Sequence, residues 1–330
     1  MSLLLTYGEI MLRVSPISNT RLTGATMAEL SFGGAEANAA VAASHLGAST
    51  RFVTAVPASP LGDSVITTLR GYGVDTSCIA KTGTRLGVYY VERGSGFRPS
   101  TVLYDRANSS VTSWRPSYSE LQQSLVGVTH FHFTGITAAL DGAALPVLTQ
   151  FLTVCNEQGV LVSMDVNYRS KLWDTGSAGT VLRHLLPLVS TVICNENHAK
   201  LLFGYTSSCD VDVAAAFKSE FSNIETAVIT RRRGLDFQYD QWGAVGIGAN
   251  GTEAHSTERT ILMTERVGGG DAFAGGFLTE QMANKPLQES IDFGAAALAL
   301  KHGIPGDFCL FTRSEVLTIL NGVSSLGVVR

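Results

Sequence analysis

Cysteine is scarce and falls into no pattern. The five cysteines (Cys78, Cys155, Cys194, Cys209, Cys309) are odd in number, and no two form a C-x-x-C pair. Neither a zinc site nor a disulfide framework is expected, and a reducing cytoplasm is the simplest home. Charge is also thin. Asp, Glu, Lys and Arg make up 16% of the chain, against roughly 25% in an average protein. The net charge of −4 is too near neutral to draw nucleic acid or a membrane surface. No run approaches the roughly 18 apolar residues of a membrane-crossing helix. The opening MSLLLTYGEIMLRVSP carries no leading basic segment, and Glu9 breaks its apolar run. It reads as a first buried strand and not as a signal peptide. Two nucleotide signatures are missing as well. G-x-x-x-x-G-K-[ST] occurs nowhere, and no G-x-G-x-x-G opens a βαβ unit.

What is present suits a large folded core. Hydrophobic residues reach 45% of 330, which excludes a disordered chain. Short β-like runs alternate with helix-like runs. Strands are expected at 50–56, 160–166, 191–194 and 226–230. Helices are expected at 61–72, 141–158, 176–188, 195–203, 270–283 and 287–302, several closed by glycine. Apolar strands separated by helices predict a mostly parallel sheet covered on both faces. Residues 10–32 and 86–107 break the rhythm, with β-branched and aromatic residues around turn signals such as Gly94-Ser95-Gly96. They read as two excursions that build a small separate sheet, a lid over a site. The alternative is an edge extension of the main sheet.

Glycine is the informative excess, at 34 residues. In Arg266-Val267-Gly268-Gly269-Gly270-Asp271-Ala272-Phe273, three glycines lie between a β-like run and a helix. Consecutive backbone N–H groups there can line an anion nest, and the helix dipole adds positive potential. Asp271 in the first turn suits a general base that takes a proton from a hydroxyl attacking a phosphoryl group. The plainer reading makes Asp271 a helix cap. A second cluster, Phe32-Gly33-Gly34-Ala35-Glu36-Ala37-Asn38, runs into an Ala-rich helix that ends at Gly47. Asn38 sits one turn inside, where an amide can serve sugar hydroxyls or simply be a buried, satisfied polar group.

Together the two clusters resemble the ribokinase-like, or phosphofructokinase-B, carbohydrate kinases, which carry G-G-x-x-x-N near the start and G-G-G-D near the end. The two lie in that order, about 235 residues apart, and the resemblance spans almost the whole chain. It implies a three-layer α/β/α sandwich over 1–330 with a β lid from about 10–32 and 86–112. It implies that Asp271 is the catalytic base and that Gly268, Gly269 and Gly270 form the anion hole. Further segments resemble one subgroup, the 2-keto-3-deoxygluconate kinases: Tyr89-Tyr90-Val91-Glu92-Arg93-Gly94, Tyr104-Asp105-Arg106-Ala107-Asn108, and Asp165-Val166-Asn167-Tyr168-Arg169. A sugar acid carries a carboxylate, which planar guanidinium groups grip bidentately. Arg106 and Arg169 are therefore candidate clamps, with Tyr89 and Tyr104 as hydroxyl donors and ring walls. Gly34, Asn38, Asp165 and Asn167 complete the sugar side.

The nucleotide side falls to Asn195, Thr230, Arg232, Gly268 and Gly270. The family's N-x-x-E motif appears as Asn195-Glu196-Asn197-His198, so His198 replaces a carboxylate and Glu196 becomes the candidate metal residue. Imidazole is a poor ligand for Mg²⁺, which prefers oxygen. Glu265 stands where relatives usually have Asp before the glycines, next to a cation site in those that have one. The expected reaction is ATP- and Mg²⁺-dependent phosphorylation of a terminal sugar hydroxyl, with a monovalent cation left open. The resemblance also implies a homodimer through the lid. Two alternatives stand: a kinase for a neutral sugar such as fructose or ribose, and a catalytically impaired sugar-binding regulator.

Overall fold

The structure, a computed structural model, describes residues 2–18, 20–94, 97–236 and 238–322. Its strands are β1 (Leu3–Tyr7), β2 (Met11–Pro16), β3 (Ala28–Gly33), β4 (Ser49–Val56), β5 (Ile79–Lys81), β6 (Gly87–Glu92), β7 (Thr101–Asp105), β8 (His130–Thr134), β9 (Leu161–Asp165), β10 (Thr191–Asn195), β11 (Thr226–Gly234), β12 (Tyr239–Ile247), β13 (Glu253–His255) and β14 (Arg259–Leu262).

The apolar runs form one sheet in the order β13-β12-β11-β10-β9-β8-β1-β4-β5, with β14 beside β12. The seven strands from β5 to β11 are parallel, and β12 turns back antiparallel to close that edge. Helices cover both faces, which is why the central strands are apolar on both sides. Phe131, Phe133 and Phe151 are fully buried on one face, and Phe273 and Phe277 on the other. The two clusters together form the sandwich that the sequence predicts.

Small residues set the spacing on the second face. A Cβ on Gly275 would lie 2.7 Å from the Ala39 carbonyl oxygen and from Ala42 Cβ. The Gly269–Met282 helix therefore presses directly on the Ala35–His45 helix, and the two glycine-led N-termini meet. The Leu287–His302 helix packs on the other side, with Gly294 Cα 3.2 Å from the Cβ position of Gly276.

The lid is a separate four-stranded sheet in the order β3-β2-β6-β7. It is mixed: β2 runs parallel to β6, and the outer pairs are antiparallel. The first segment is not a single strand. Gly8 and Glu9 end β1, and the chain re-enters as β2 in the lid, so one apolar stretch serves two sheets. The helix expected at 195–203 is also irregular, a short turn at Glu196–His198 followed by a π-helical Ala199–Phe203. Of the expected turn at 94–96, Ser95 and Gly96 lie outside the described residues. The described helices Tyr118–Ser124, Asp210–Glu220 and Arg313–Leu320 were not predicted.

Candidate active site

The parallel strands all point their C-terminal ends at one crevice beneath the lid, where open α/β sheets bind ligands. In register, Asp165 ends β9 opposite Thr134 and Ile193, and Asn195 ends β10 opposite Thr230. The crevice is a cavity of about 1040 Å³. Fifteen of the sixteen predicted residues line it: Gly34, Asn38, Tyr89, Tyr104, Arg106, Asp165, Asn167, Arg169, Asn195, Thr230, Arg232, Gly268, Gly269, Gly270 and Asp271. Glu196 does not.

Gly268 takes φ +84°, a left-handed turn that favours glycine, and a side chain there would collide with the Asp307 carbonyl. The helix starts at Gly269, and its first closure is the Ala272 N–H to the Gly268 carbonyl at 2.9 Å. The N–H groups before that closure lack helix partners. A Cβ on Gly270 would meet nothing within 4 Å, so this turn is open to an anion. Asp271 accepts a 2.7 Å hydrogen bond from Asn38 Nδ2, while Asn38 Oδ1 accepts the Gly34 N–H at 3.3 Å. Burial pushes the Asp271 carboxyl up to about 6, against the lowering effects of Asn38, Arg169 and Lys301. A base near neutrality is what proton abstraction at physiological pH needs.

On the sugar side, Asn167 adopts φ +33° because its N–H donates to Asp165 Oδ1 at 3.1 Å. Burial and then the charge of Asp271 raise Asp165 to about 7. Arg169 faces the cavity with no ion pair among the described residues. Arg106 differs from expectation. Its Nε donates to Glu9 Oε2 at 2.7 Å and its Nη2 bonds the same oxygen, so its charge is already compensated. Tyr89 and Tyr104 pair across β6 and β7 with rings 6.1 Å apart. Tyr104 is 45% exposed, whereas Tyr89 is buried with its hydroxyl turned toward Asp307. Tyr89 forms part of the wall, and its buried hydroxyl has no hydrogen-bond partner among the described residues.

On the nucleotide side, Arg232 Nε and Arg266 Nη1 both bond Asp240 Oδ2 at 2.8 Å. Two guanidinium groups on one buried carboxylate leave a net positive wall, and the Arg232 guanidinium lies 5.6 Å from the Trp242 ring centre. Arg231 points elsewhere, to Asp210 at 2.9 Å and Glu258 at 2.6 Å. Those charges also explain Glu196: burial and Asp210 raise it, Arg231 and Arg233 lower it. The metal role expected of it is not supported by this placement. Asn195 donates to the Thr230 carbonyl at 3.3 Å and accepts from Asn197 N–H at 2.9 Å. His198 lines the cavity with Nδ1 unpartnered, and burial, then Arg169, lower it to about 4. It is a neutral imidazole at pH 7.

A family model described as pfkB family carbohydrate kinase matches residues 1–306. The chain belongs to the pfkB family of carbohydrate kinases. It is 35% identical over 320 residues to a 2-dehydro-3-deoxygalactonokinase of Haloferax volcanii, covering 97% of this chain and 96% of that protein. It superposes on the 2-dehydro-3-deoxygluconokinase of Thermotoga maritima with a TM-score of 0.92 and 34% identity, over 98% and 100% of the two chains. A fructokinase from Xylella fastidiosa with bound ATP shares the fold, with a TM-score of 0.79 and 20% identity over 98% and 99%.

This pfkB kinase holds a further group that the sequence reading missed. Arg13 of β2 is buried and bonds Glu265 Oε2 and Asp307 Oδ1, each at 2.5 Å. Burial opposes its charge, yet the two carboxylates carry its pKa well above the ordinary range. Lys301, also fully buried, donates to the Ile304 carbonyl at 3.3 Å. Here the lid strand is tied to the base of the glycine loop. A monovalent cation does not fit this place, because Arg13 holds both carboxylates and Lys301 holds the carbonyl. No short-range pattern joins residues 13, 265, 301 and 307, so only Glu265 drew notice in the sequence. Its longer side chain, in place of Asp, reaches Arg13 beside Asp307.

Magnesium is a different case. Among the described residues no group of three His, Cys, Asp or Glu side chains converges as a cage. The cavity does hold Asp165, a carboxyl with no ion pair among the described residues and only a backbone N–H on one oxygen. That suits an ion carried by nucleotide phosphates and water, to which a protein adds one or two carboxylates.

Proposed function

We propose that this pfkB kinase transfers the terminal phosphoryl group of ATP to the terminal hydroxyl of a 2-keto-3-deoxy sugar acid, 2-keto-3-deoxygluconate or a close relative. One observation carries the reading. Of the three cavity arginines predicted for ligands, Arg106 and Arg232 have carboxylate partners and Arg169 has none among the described residues. An unpaired guanidinium beside the catalytic candidates suits a substrate carboxylate. The two relatives named for keto-deoxy sugar acids agree with it.

Asp271 takes the proton from the attacking hydroxyl, and Asn38 holds that carboxylate in place. The free N–H groups at Gly269 and Gly270 meet the charge that develops on the transferring phosphoryl group. Arg232 and Arg266 face the nucleotide phosphates. Asp165 would hold the water shell of Mg²⁺, which supplies charge neutralisation on the phosphates when bound. Tyr104 and Asn167 reach the sugar hydroxyls. Gly34 lines the sugar side and must be glycine, because a Cβ there would strike the Glu9 carbonyl. The lid covers the site as one kinase domain over residues 1–330.

The lid's outer face exposes Met27 at 66%, Leu30 at 68% and Leu103 at 50%, and β3 is an edge strand. An apolar edge of this kind suits pairing with a second copy. No described helix is long and apolar enough to cross a membrane, and a cytoplasmic supply of ATP suits the reaction.

The Arg106–Glu9 pair favours a second reading, a kinase for a neutral sugar, because it leaves a single unpaired clamp. ADP release from Mg-ATP separates the two across 2-keto-3-deoxygluconate, 2-keto-3-deoxygalactonate, gluconate, fructose and ribose. Turnover confined to the keto-deoxy acids, with an Arg169→Met variant whose KM for them rises about a hundredfold, supports the first reading. Turnover of fructose or ribose, untouched by that change, supports the second.

A further inference from the structure

Neither Arg13 nor Lys301 lines the cavity, yet both cations are buried directly behind the glycine loop. Lys301 Cε lies 3.2 Å from the position a Cβ would take on Gly268. The turn that follows it is stitched to the loop. Thr264 and Glu265 donate their N–H groups to the His302 carbonyl at 2.9 and 3.1 Å, and His302 Nδ1 bonds the Glu265 carbonyl at 2.7 Å. Five charged groups meet here. Arg13, Arg93 and Lys301 face Glu265 and Asp307, while His302 is neutral and Asp271 stands in the first turn of the helix. Arg13 bonds both carboxylates, Arg93 Nε stands 3.7 Å from Glu265 Oε2, and Lys301 bonds only a carbonyl. Burying an ammonium with one carbonyl partner is costly, and the nearby charges of Glu265 and Asp307 offset part of that cost.

We propose that Lys301 is the loop's own fixed cation. It supplies from inside the fold the positive charge that a diffusible monovalent cation would bring, and it holds Gly268–Asp271 in the shape that receives the phosphoryl group. Lys301 is thus a positioning residue, and the kinase needs no monovalent ion. The inference rests on the reading of this loop as the anion hole. Low local dielectric lets a charge behind the loop add to the potential at its amides without touching the ligand.

The test compares KCl, NH₄Cl and tetramethylammonium chloride at equal ionic strength. The wild-type protein is expected to keep the same kcat within about twofold, and the same unfolding midpoint, in all three. Lys301→Ala is expected to lose about 10- to 100-fold in kcat with KM for the sugar within about threefold. K⁺ or NH₄⁺, but not tetramethylammonium, then restores part of the rate and raises the midpoint of this variant. Lys301→Met fills the space without charge, so it is impaired and not rescued. Wild-type turnover or stability that rises specifically with K⁺ overturns the proposal. So does Lys301→Met with wild-type kcat, or an impaired Lys301→Ala that no ion rescues. If Lys301→Ala does not fold, the wild-type comparison and Lys301→Met still decide. If the wild-type protein turns over no sugar acid, that reading fails by itself, and the ion dependence of the midpoints decides this one without substrate.

Discussion

Two helices of this protein begin alike and do different work. Ala35–His45 follows Gly33-Gly34 and carries Glu36 in its first turn, and Gly269–Met282 follows Gly268 and carries Asp271 in its first turn. Both carboxyls are buried, and burial lifts both, Glu36 to about 7 and Asp271 to about 6. Their partners separate them. Glu36 Oε1 accepts from Thr134 N–H at 2.9 Å and from the Thr134 and Thr137 hydroxyls, each at 2.7 Å. Asp271 has one side-chain donor among the described residues, Asn38. Three donors anchor the Ala35–His45 helix to the end of β8, and one donor leaves Asp271 with acceptor capacity for a substrate hydroxyl. Both carboxyls line the cavity, so a raised pKa alone does not mark a catalytic carboxylate; the donors already on it separate the two.

The comparison breaks most sharply on activity. Asp271→Asn keeps the shape and removes the base, so kcat is expected to fall by about 10³-fold with the unfolding midpoint little changed. Glu36→Gln keeps an oxygen for its three donors, so its kcat stays within about threefold. Steady-state ADP release on both variants checks the pair. The reverse ranking would make Glu36 the reacting carboxylate and end the distinction drawn here.

Stability against pH tests the same contrast from the structural side. The folded protein holds the Glu36 proton more tightly than the unfolded chain does, because the pKa rises from 4.5 to about 7. Folding stability therefore falls as pH climbs through that window and levels off above it. The wild type should lose roughly 3 kcal/mol more than Glu36→Gln across the window. Asp165 and Asp271 add slopes of the same sign in both proteins, so the difference isolates Glu36. Urea titrations from pH 4.5 to 8 measure it, and parallel curves for the two proteins would show that Glu36 is charged at no cost.

How much of this was legible in the sequence follows from range. The glycine clusters, the Asp165-x-Asn167-x-Arg169 segment and the main strands are local patterns, and local patterns fix local conformation. They also gave the lid, because β-branched residues broke a helical rhythm. The packing of Gly275 against Ala39, which places Asn38 on Asp271, needs two helices to meet. The engagement of Arg106 by Glu9 spans 97 residues, and that of Arg13 by Asp307 spans 294. Charge pairing at such separations leaves no spacing to read, so a free clamp and an engaged one look the same in sequence. Glu196 is a related case: proximity to His198 along the chain did not bring it to the cavity wall.

The finest test lies on the single hydrogen bond that distinguishes Asp271. Asn38 Nδ2 stabilises the ionised carboxylate and so lowers a pKa that burial has raised. If Asp271 must be ionised to act, kcat/KM in the wild type falls below about pH 6, tenfold per unit of pH. Asn38→Ala removes the donor and strengthens the proton's hold, so the acid limb moves to higher pH while the rate on the plateau falls less than in Asp271→Asn. Asn38→Asp is the sharper variant, because a second carboxylate beside Asp271 repels its charge and moves the limb further in the same direction. A limb that stays in place in both variants would mean that some other group sets it. Asn38 would then position the sugar alone, and Asp271, like Glu36, would owe its place to the fold.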